Sequence, residues 1–187
     1  GPLAGGTGTD NPRTNEPMKI LFTGGGTGGH VYPALAIADA IRRQHPDARL
    51  LYVGMRGKLE AHVVPDHGYP IRFVHARPFP RGAQPWPLAR FCLSLLVGIV
   101  EAAVILVCFR PQVIVGTGGY GSAPVFFAHA ALGRLGLSRA RAFVYEPNAH
   151  PGLLNQVVGR AADRIGVAFE HAARWFDMKR VAVVGYP

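Results

Sequence analysis

The stretch Phe22-Thr23-Gly24-Gly25-Gly26-Thr27-Gly28-Gly29-His30 decides the reading of the fold. A short apolar run, Lys19 to Phe22, leads into it, and a helical pattern, Pro33 to Arg43, leaves it. Five glycines in the six positions 24–29 remove the side chains that would keep a ligand from the backbone. A helix that begins just after such a turn points free N–H groups and the positive end of its dipole back at it. Strand, glycine turn and helix together make an anion site suited to a phosphate or diphosphate. His30 stands at its edge, where an imidazole can take a proton from a hydroxyl.

The pattern continues outward from this loop. Tyr32 to Gln44 reads as an amphipathic helix, Leu50–Val53 as a second strand, Leu59–Val64 as a short helix and Ile71–Val74 as a third strand. Val113–Val115 is a fourth strand that runs into a second glycine loop, Gly116-Thr117-Gly118-Gly119-Tyr120-Gly121-Ser122. A helix over 123–135, with Ser122 as its N-cap, a strand over 142–145, a helix over 153–161 and strands over 164–169 and 181–184 complete the chain. Strands alternating with helices at this spacing predict an α/β fold, a Rossmann-like parallel sheet with flanking helices. Ligands bind such sheets at the C-terminal ends of the strands. His30, Tyr120 and Glu146 each follow a strand and are expected to meet in one crevice there.

The glycine spacing Gly24-x-Gly26-x-x-Gly29 fits a dinucleotide fingerprint, but the second strand ends in Val53-Gly54-Met55-Arg56 without the acid that holds a ribose. NAD is therefore disfavoured. The loop ends in Gly-Gly-His where a P-loop needs Gly-Lys-Ser/Thr, so a P-loop nucleotide site is disfavoured too. The 187 residues carry 20 Lys+Arg against 11 Asp+Glu, a net +9 that suits phosphate-rich partners or an anionic membrane surface. Nucleic acid is not expected as a partner, because the basic residues are scattered and form no nucleic-acid motif. Cys92 and Cys108 lack metal-ligand spacing and read as small buried thiols; no metal site is expected. Gly1 to Pro17 reads as a tag remnant or disordered leader, with Met18 the natural start.

One segment stands apart. Between Phe91 and Phe109 the only charge is Glu101, and the apolar run is about long enough to cross a bilayer. Strand signals on both sides require the segment to return to the same sheet, which favours a buried crossover helix with one lipid-facing side over a transmembrane span. Trp86, Phe91 and Leu95, with Arg81 and Arg90 near its start, are the expected contacts to an anionic headgroup layer.

Gly24 to Pro33 resembles the first glycine loop of the MurG glycosyltransferases. The resemblance runs on through Leu59-Glu60-Ala61…Val64-Pro65, Gly118-Gly119-Tyr120, Glu146-Pro147-Asn148, Pro151-Gly152-Leu153…Asn155 and the closing Val184-Gly185-Tyr186-Pro187. It implies that residues 18–187 are the N-terminal, acceptor-binding half of a two-domain GT-B enzyme. Such an enzyme transfers GlcNAc from UDP-GlcNAc to undecaprenyl-diphosphate-linked MurNAc-pentapeptide, with inversion and without a cofactor. UDP-GlcNAc would be held by a C-terminal donor domain beyond this chain, so the chain alone is expected to be inactive. The enzyme would work peripherally at the cytoplasmic face of the bacterial inner membrane. His30 and Glu146 become the implied catalytic residues. Thr27, Gly28, Gly29, Gly118, Gly119, Tyr120, Asn148 and Asn155 become the implied acceptor and diphosphate residues.

Two departures bear on the site. Tyr145-Glu146-Pro147-Asn148 stands where the family usually has His/Gln-Glu-Gln-Asn, and the closing Gly-Tyr-Pro replaces Gly-Asn-Pro. The competing readings are a non-catalytic module that binds anionic lipid through residues 78–110, and the acceptor half of a split transferase acting on another lipid-linked sugar.

Overall fold

The computed structural model describes residues 17–80, 82 and 84–187. The leader up to residue 16 and the expected membrane contact Arg81 lie outside the described residues. Seven strands form one sheet in the order β3-β2-β1-β4-β5-β6-β7. They are β1 Lys19–Gly24, β2 Arg49–Gly54, β3 Ile71–Phe73, β4 Val113–Gly118, β5 Arg141–Glu146, β6 Arg164–Val167 and β7 Val181–Val183. All six neighbouring pairs are parallel, as expected. The helices are α1 Gly28–Gln44, α2 Glu60–Asp66, α3 Pro85–Phe109, α4 Ala123–Arg134, α5 Leu153–Gly159 and α6 Glu170–Ala173.

Alternation along each strand splits the core between the two faces of the sheet. Ile20 and Phe22 of β1 pack with Val31, Leu35, Leu50 and Tyr52 on the side of α1. Leu21 packs with Val53, Ile114, Val125, Phe126 and Val144 on the side of α3 and α4. From β1 the chain steps outward to β2 and β3, then returns across to β4 and steps the other way. β1 and β4 therefore flank the point where strand order reverses, and a crevice opens there at the strands' C-terminal ends. The two glycine loops are the turns that leave these two strands.

Three details differ from the sequence expectation. α1 begins at Gly28 rather than Tyr32, with Thr27 as its N-cap, so His30 lies inside its first turn. Gly28 and Gly29 are spent on the helix start, and Pro33, the sixth residue of α1, has no N–H to donate, so the Gly29 carbonyl goes without that helix bond. A single 3-10 turn, Tyr120–Ser122, joins β4 to α4, and Ser122 takes the expected N-cap position of α4 but its hydroxyl donates back to the Gly119 carbonyl at 2.8 Å and makes no capping bond. α6 was not legible, because its four residues are too few to show a helical period.

The crossover expected over 88–109 is α3, and it packs against α4. It is not a buried helix. Only Ser94, Gly98, Ala102 and Leu106, four residues apart, are buried. Small residues on this stripe let the helix ride close: a Cβ on Gly98 would lie 2.0 Å from the His75 carbonyl oxygen. Leu88, Leu93, Leu96, Val97, Val100, Val104 and Val107 all face outward. Cys92 and Cys108 are exposed on the same helix, contrary to the buried placement expected of them. A helix uniformly apolar around its circumference gives no period from which its narrow buried stripe can be read.

Candidate active site

The two glycine loops interlock. The Gly25 N–H donates to the Gly118 carbonyl at 3.2 Å. Gly119 (φ 79°) lies so close that a Cβ there would stand 2.1 Å from the Gly25 carbonyl oxygen. Only glycine permits both the left-handed backbone and the close approach. In the first turn of α1 the amides of Gly28 and Gly29 have no intrahelical acceptor. Thr27 is exposed beside them, and its carbonyl accepts the His30 and Val31 N–H groups at 3.2 Å.

His30 is fixed by the second loop. Its Nδ1 lies 2.8 Å from the Thr117 carbonyl oxygen. A carbonyl oxygen only accepts, so Nδ1 carries the proton and the neutral ring keeps its lone pair on Nε2. The Thr117 hydroxyl donates back to the His30 carbonyl at 2.6 Å. A Cβ on Gly118 (φ 102°) would sit 2.9 Å from His30 Cε1 and 2.7 Å from Asn155 Nδ2. Imidazole and carboxamide therefore meet over one bare backbone position.

Behind them lies Glu146, at the end of β5 and 0 % exposed. Its Oε1 accepts the Asn148 N–H and side-chain amide at 2.9 and 2.8 Å, and its Oε2 accepts the Asn155 amide at 2.8 Å. Glu146, one of the two implied catalytic residues, thus spends both carboxyl oxygens on the two asparagines and is fully buried. Asn155 comes from α5 and is itself buried. Tyr120 reaches across to the first loop, and its ring lies 3.6 Å from where a Gly26 Cβ would be.

Glu60, the central residue of the Leu59-Glu60-Ala61 motif, holds the first loop from below. It is 0 % exposed. Its carboxyl accepts the Gly26 N–H at 3.0 Å and the Met55 N–H at 3.1 Å. A Cβ on Gly25 would clash with it at 2.3 Å. The Gly26 amide is thus already used and is not part of any anion cradle. Tyr52 supports the same loop, its hydroxyl donating to the Gly24 carbonyl at 3.1 Å. Burial, reinforced by nearby Glu60, holds that phenol protonated, so it remains a donor. An isolated Glu in a short helix or a Tyr in a strand carries no sequence signal for such contacts.

The expected membrane residues divide between two surroundings. Trp86 and Arg90 are exposed at the start of α3. With Arg77, Pro78, Pro80, Pro87 and Phe91 they line a small cavity of about 210 Å³. Phe91 and Leu95 also face inward, onto a larger apolar cavity of about 410 Å³ that Tyr120 shares. The outward apolar face belongs to other residues of α3, Leu93, Leu96, Val97 and Val100 among them.

Residues 20–167 match the family described as the glycosyltransferase family 28 N-terminal domain. The chain belongs to that family. The resemblance seen in the motifs is borne out. A UDP-N-acetylglucosamine–N-acetylmuramyl-(pentapeptide) pyrophosphoryl-undecaprenol N-acetylglucosamine transferase of Desulforudis audaxviator is 43 % identical over 171 residues, covering 91 % of this chain and 44 % of that protein. The Alkaliphilus oremlandii protein of the same name is 37 % identical over 171 residues, covering 91 % of this chain and 45 % of the relative. The chain thus spans less than half the length of these relatives. Among solved structures, Acinetobacter baumannii MurG superposes with a TM-score of 0.72 over 91 % of this chain and 46 % of that one, at 23 % identity. A UDP-N-acetylglucosamine 2-epimerase described as putative, from Listeria monocytogenes, superposes at 0.63 over 91 % of this chain and 45 % of that one, at 12 % identity. These superpositions establish the fold of the family 28 domain. The epimerase likeness shows that fold alone does not choose a reaction.

Proposed function

We propose that this family 28 domain is the acceptor-binding half of an inverting transferase that moves GlcNAc from UDP-GlcNAc to a diphosphate-linked MurNAc-pentapeptide lipid. The observation that carries the reading is the pair of interlocked glycine loops with the lone pair of His30 beside them. The first-turn amides of α1 and the backbone around Gly118 and Gly119 receive the acceptor diphosphate. His30 Nε2 takes the proton of the attacking sugar hydroxyl. The hydroxyl oxygen forms its bond to the anomeric carbon from the face opposite UDP, which leaves with the electrons of the broken C–O bond. Asn148 and Asn155, held by Glu146, position the acceptor, and the donor nucleotide is bound by the other half of the enzyme.

The apolar outer face of α3, with Trp86 and Arg90 at its start, supports peripheral attachment to an anionic bilayer at the cytoplasmic side. Both ends of α3 return to one sheet, which favours lying in the interface over spanning it.

The test uses the full-length protein. Gly118→Ala pushes a methyl into His30 and Asn155 and is expected to abolish lipid-diphosphate binding and GlcNAc transfer while leaving vesicle binding intact. Trp86→Glu with Leu96→Glu is expected to reduce vesicle binding and spare transfer to a short-chain acceptor. Full transfer activity in Gly118→Ala overturns the assignment.

A further inference from the structure

We propose that the 410 Å³ apolar cavity beside Tyr120 is a binding groove for the prenyl chain next to the acceptor diphosphate, so that the first isoprene units leave the bilayer and enter the protein. The inference rests on the diphosphate reading of the glycine loops. The cavity lies between α3, α4 and α5, and Phe79, Phe91, Leu95, Phe127 and Val157 are among its lining residues. Its wall is almost wholly apolar, which suits a hydrocarbon and excludes the sugar or peptide of the acceptor.

Two elements join the groove to the site. Tyr120 contributes to its wall and lies against Gly26 of the first loop. α5 turns Asn155 toward Gly118 and presents Leu153, Leu154 and Val157 to the groove. A diphosphate on the loops therefore places its ester-linked carbon at the groove's mouth. Arg77, the one charged residue of the lining among the described residues, supplies a counter-charge for a phosphate oxygen.

Phe79, Leu153 and Val157 are large apolar side chains left substantially exposed around the opening. A chain laid between them removes their surface from water together with its own. Membrane attachment by the outer face of α3 does not account for this arrangement, because Phe127 of α4 and Leu153, Leu154 and Val157 of α5 line the groove together with Tyr120. Lipid-binding specificity then becomes a property of the protein as well as of the bilayer.

The test is calorimetric titration of the 187-residue chain with inorganic pyrophosphate, geranyl diphosphate and farnesyl diphosphate, each below its micelle concentration. Farnesyl diphosphate is expected to bind at least about tenfold more tightly than pyrophosphate, since burying even two methylene groups supplies that factor. Val157→Asp, at a half-exposed position of α5, is expected to erase the prenyl gain and leave pyrophosphate binding unchanged; Leu95→Gln checks the opposite wall. Equal affinities for the three probes, or a gain that survives both variants, overturns the groove. Binding of pyrophosphate that ignores Gly118→Ala overturns the diphosphate reading instead, and the joined site with it. The titration repeated on the full-length protein is expected to return the same ratio; a gain lost there means that protein covers the groove, which also overturns the proposal.

Discussion

His30 and Thr117 hold each other through two hydrogen bonds: the His30 Nδ1–H donates to the Thr117 carbonyl at 2.8 Å, and the Thr117 hydroxyl donates to the His30 carbonyl at 2.6 Å. The first bond selects the tautomer and the second ties the helix turn to the β4 loop. Two losses of different size follow. In the full-length enzyme His30→Ala is expected to lower kcat by about 10²–10⁴-fold, the range for removal of a general base. Thr117→Val keeps the carbonyl and loses only the hydroxyl, so kcat is expected to fall by about tenfold or less, with roughly 1 kcal/mol lost in stability. Steady-state kinetics with the KM for UDP-GlcNAc unchanged in both variants is the check; a near-wild-type rate in His30→Ala removes the base assignment.

Glu60 braces the first loop through the Gly26 and Met55 N–H groups. Glu60→Ala leaves the Gly26 and Met55 N–H groups without their acceptor, and is expected to cost about 2–4 kcal/mol in urea unfolding. Glu60→Gln fills the same space but turns an amide NH₂ toward one of the two N–H donors, so it is expected to recover only part of that loss. If the Gln variant unfolds at the wild-type urea midpoint, the acceptor role assigned to both carboxyl oxygens is wrong.

Glu146 is expected to act through the two asparagines it holds. Glu146→Ala is expected to raise the acceptor KM more than it lowers kcat, because Asn148 and Asn155 lose their orientation while His30 keeps its own partner. Asn155→Ala is expected to reproduce most of that change, and combining it with Glu146→Ala should add little, since both remove one contact chain. Additive losses in the double variant would show that Glu146 acts independently.

Tyr145 ties the end of β5 to the closing segment, its hydroxyl donating to the Gly185 carbonyl at 2.9 Å. Burial, then Tyr186 and Glu146 nearby, push its phenol up to about 12 from an ordinary 10.0. The folded state therefore keeps this proton where the unfolded chain has lost it. Its stabilising contribution is complete below pH 10 and disappears as pH rises toward 12. Urea midpoints are expected to drop across that interval in the wild type and to drop less in Tyr145→Phe. Equal slopes for the two proteins would rule Tyr145 out as the cause.

Much of the site was legible because its chemistry depends on local spacing. Glycines at 24–29 and 116–121, each between a strand and a helix, announce backbone exposed to an anion. Parallel pairing followed from the alternation of strands and helices, since each parallel step needs a crossover. His30 stood out as the titratable group at the end of the first loop.

What the sequence alone determined about this protein is the fold class, the two glycine loops, the place of His30 at the end of the first, and the family resemblance. Each is written in consecutive residues or in their periodicity. What only the tertiary structure decided are the contacts made across the sheet. Thr117 selects the tautomer of His30 from 87 positions away. Glu60 occupies the Gly26 amide from 34 positions away. Glu146 turns inward to its asparagines, and α3 buries only one narrow stripe. Such contacts depend on which strands become neighbours at the β1–β4 reversal. Side-chain hydrogen bonds and helix-face burial carry no period of their own, so nothing short of the assembled sheet determines them.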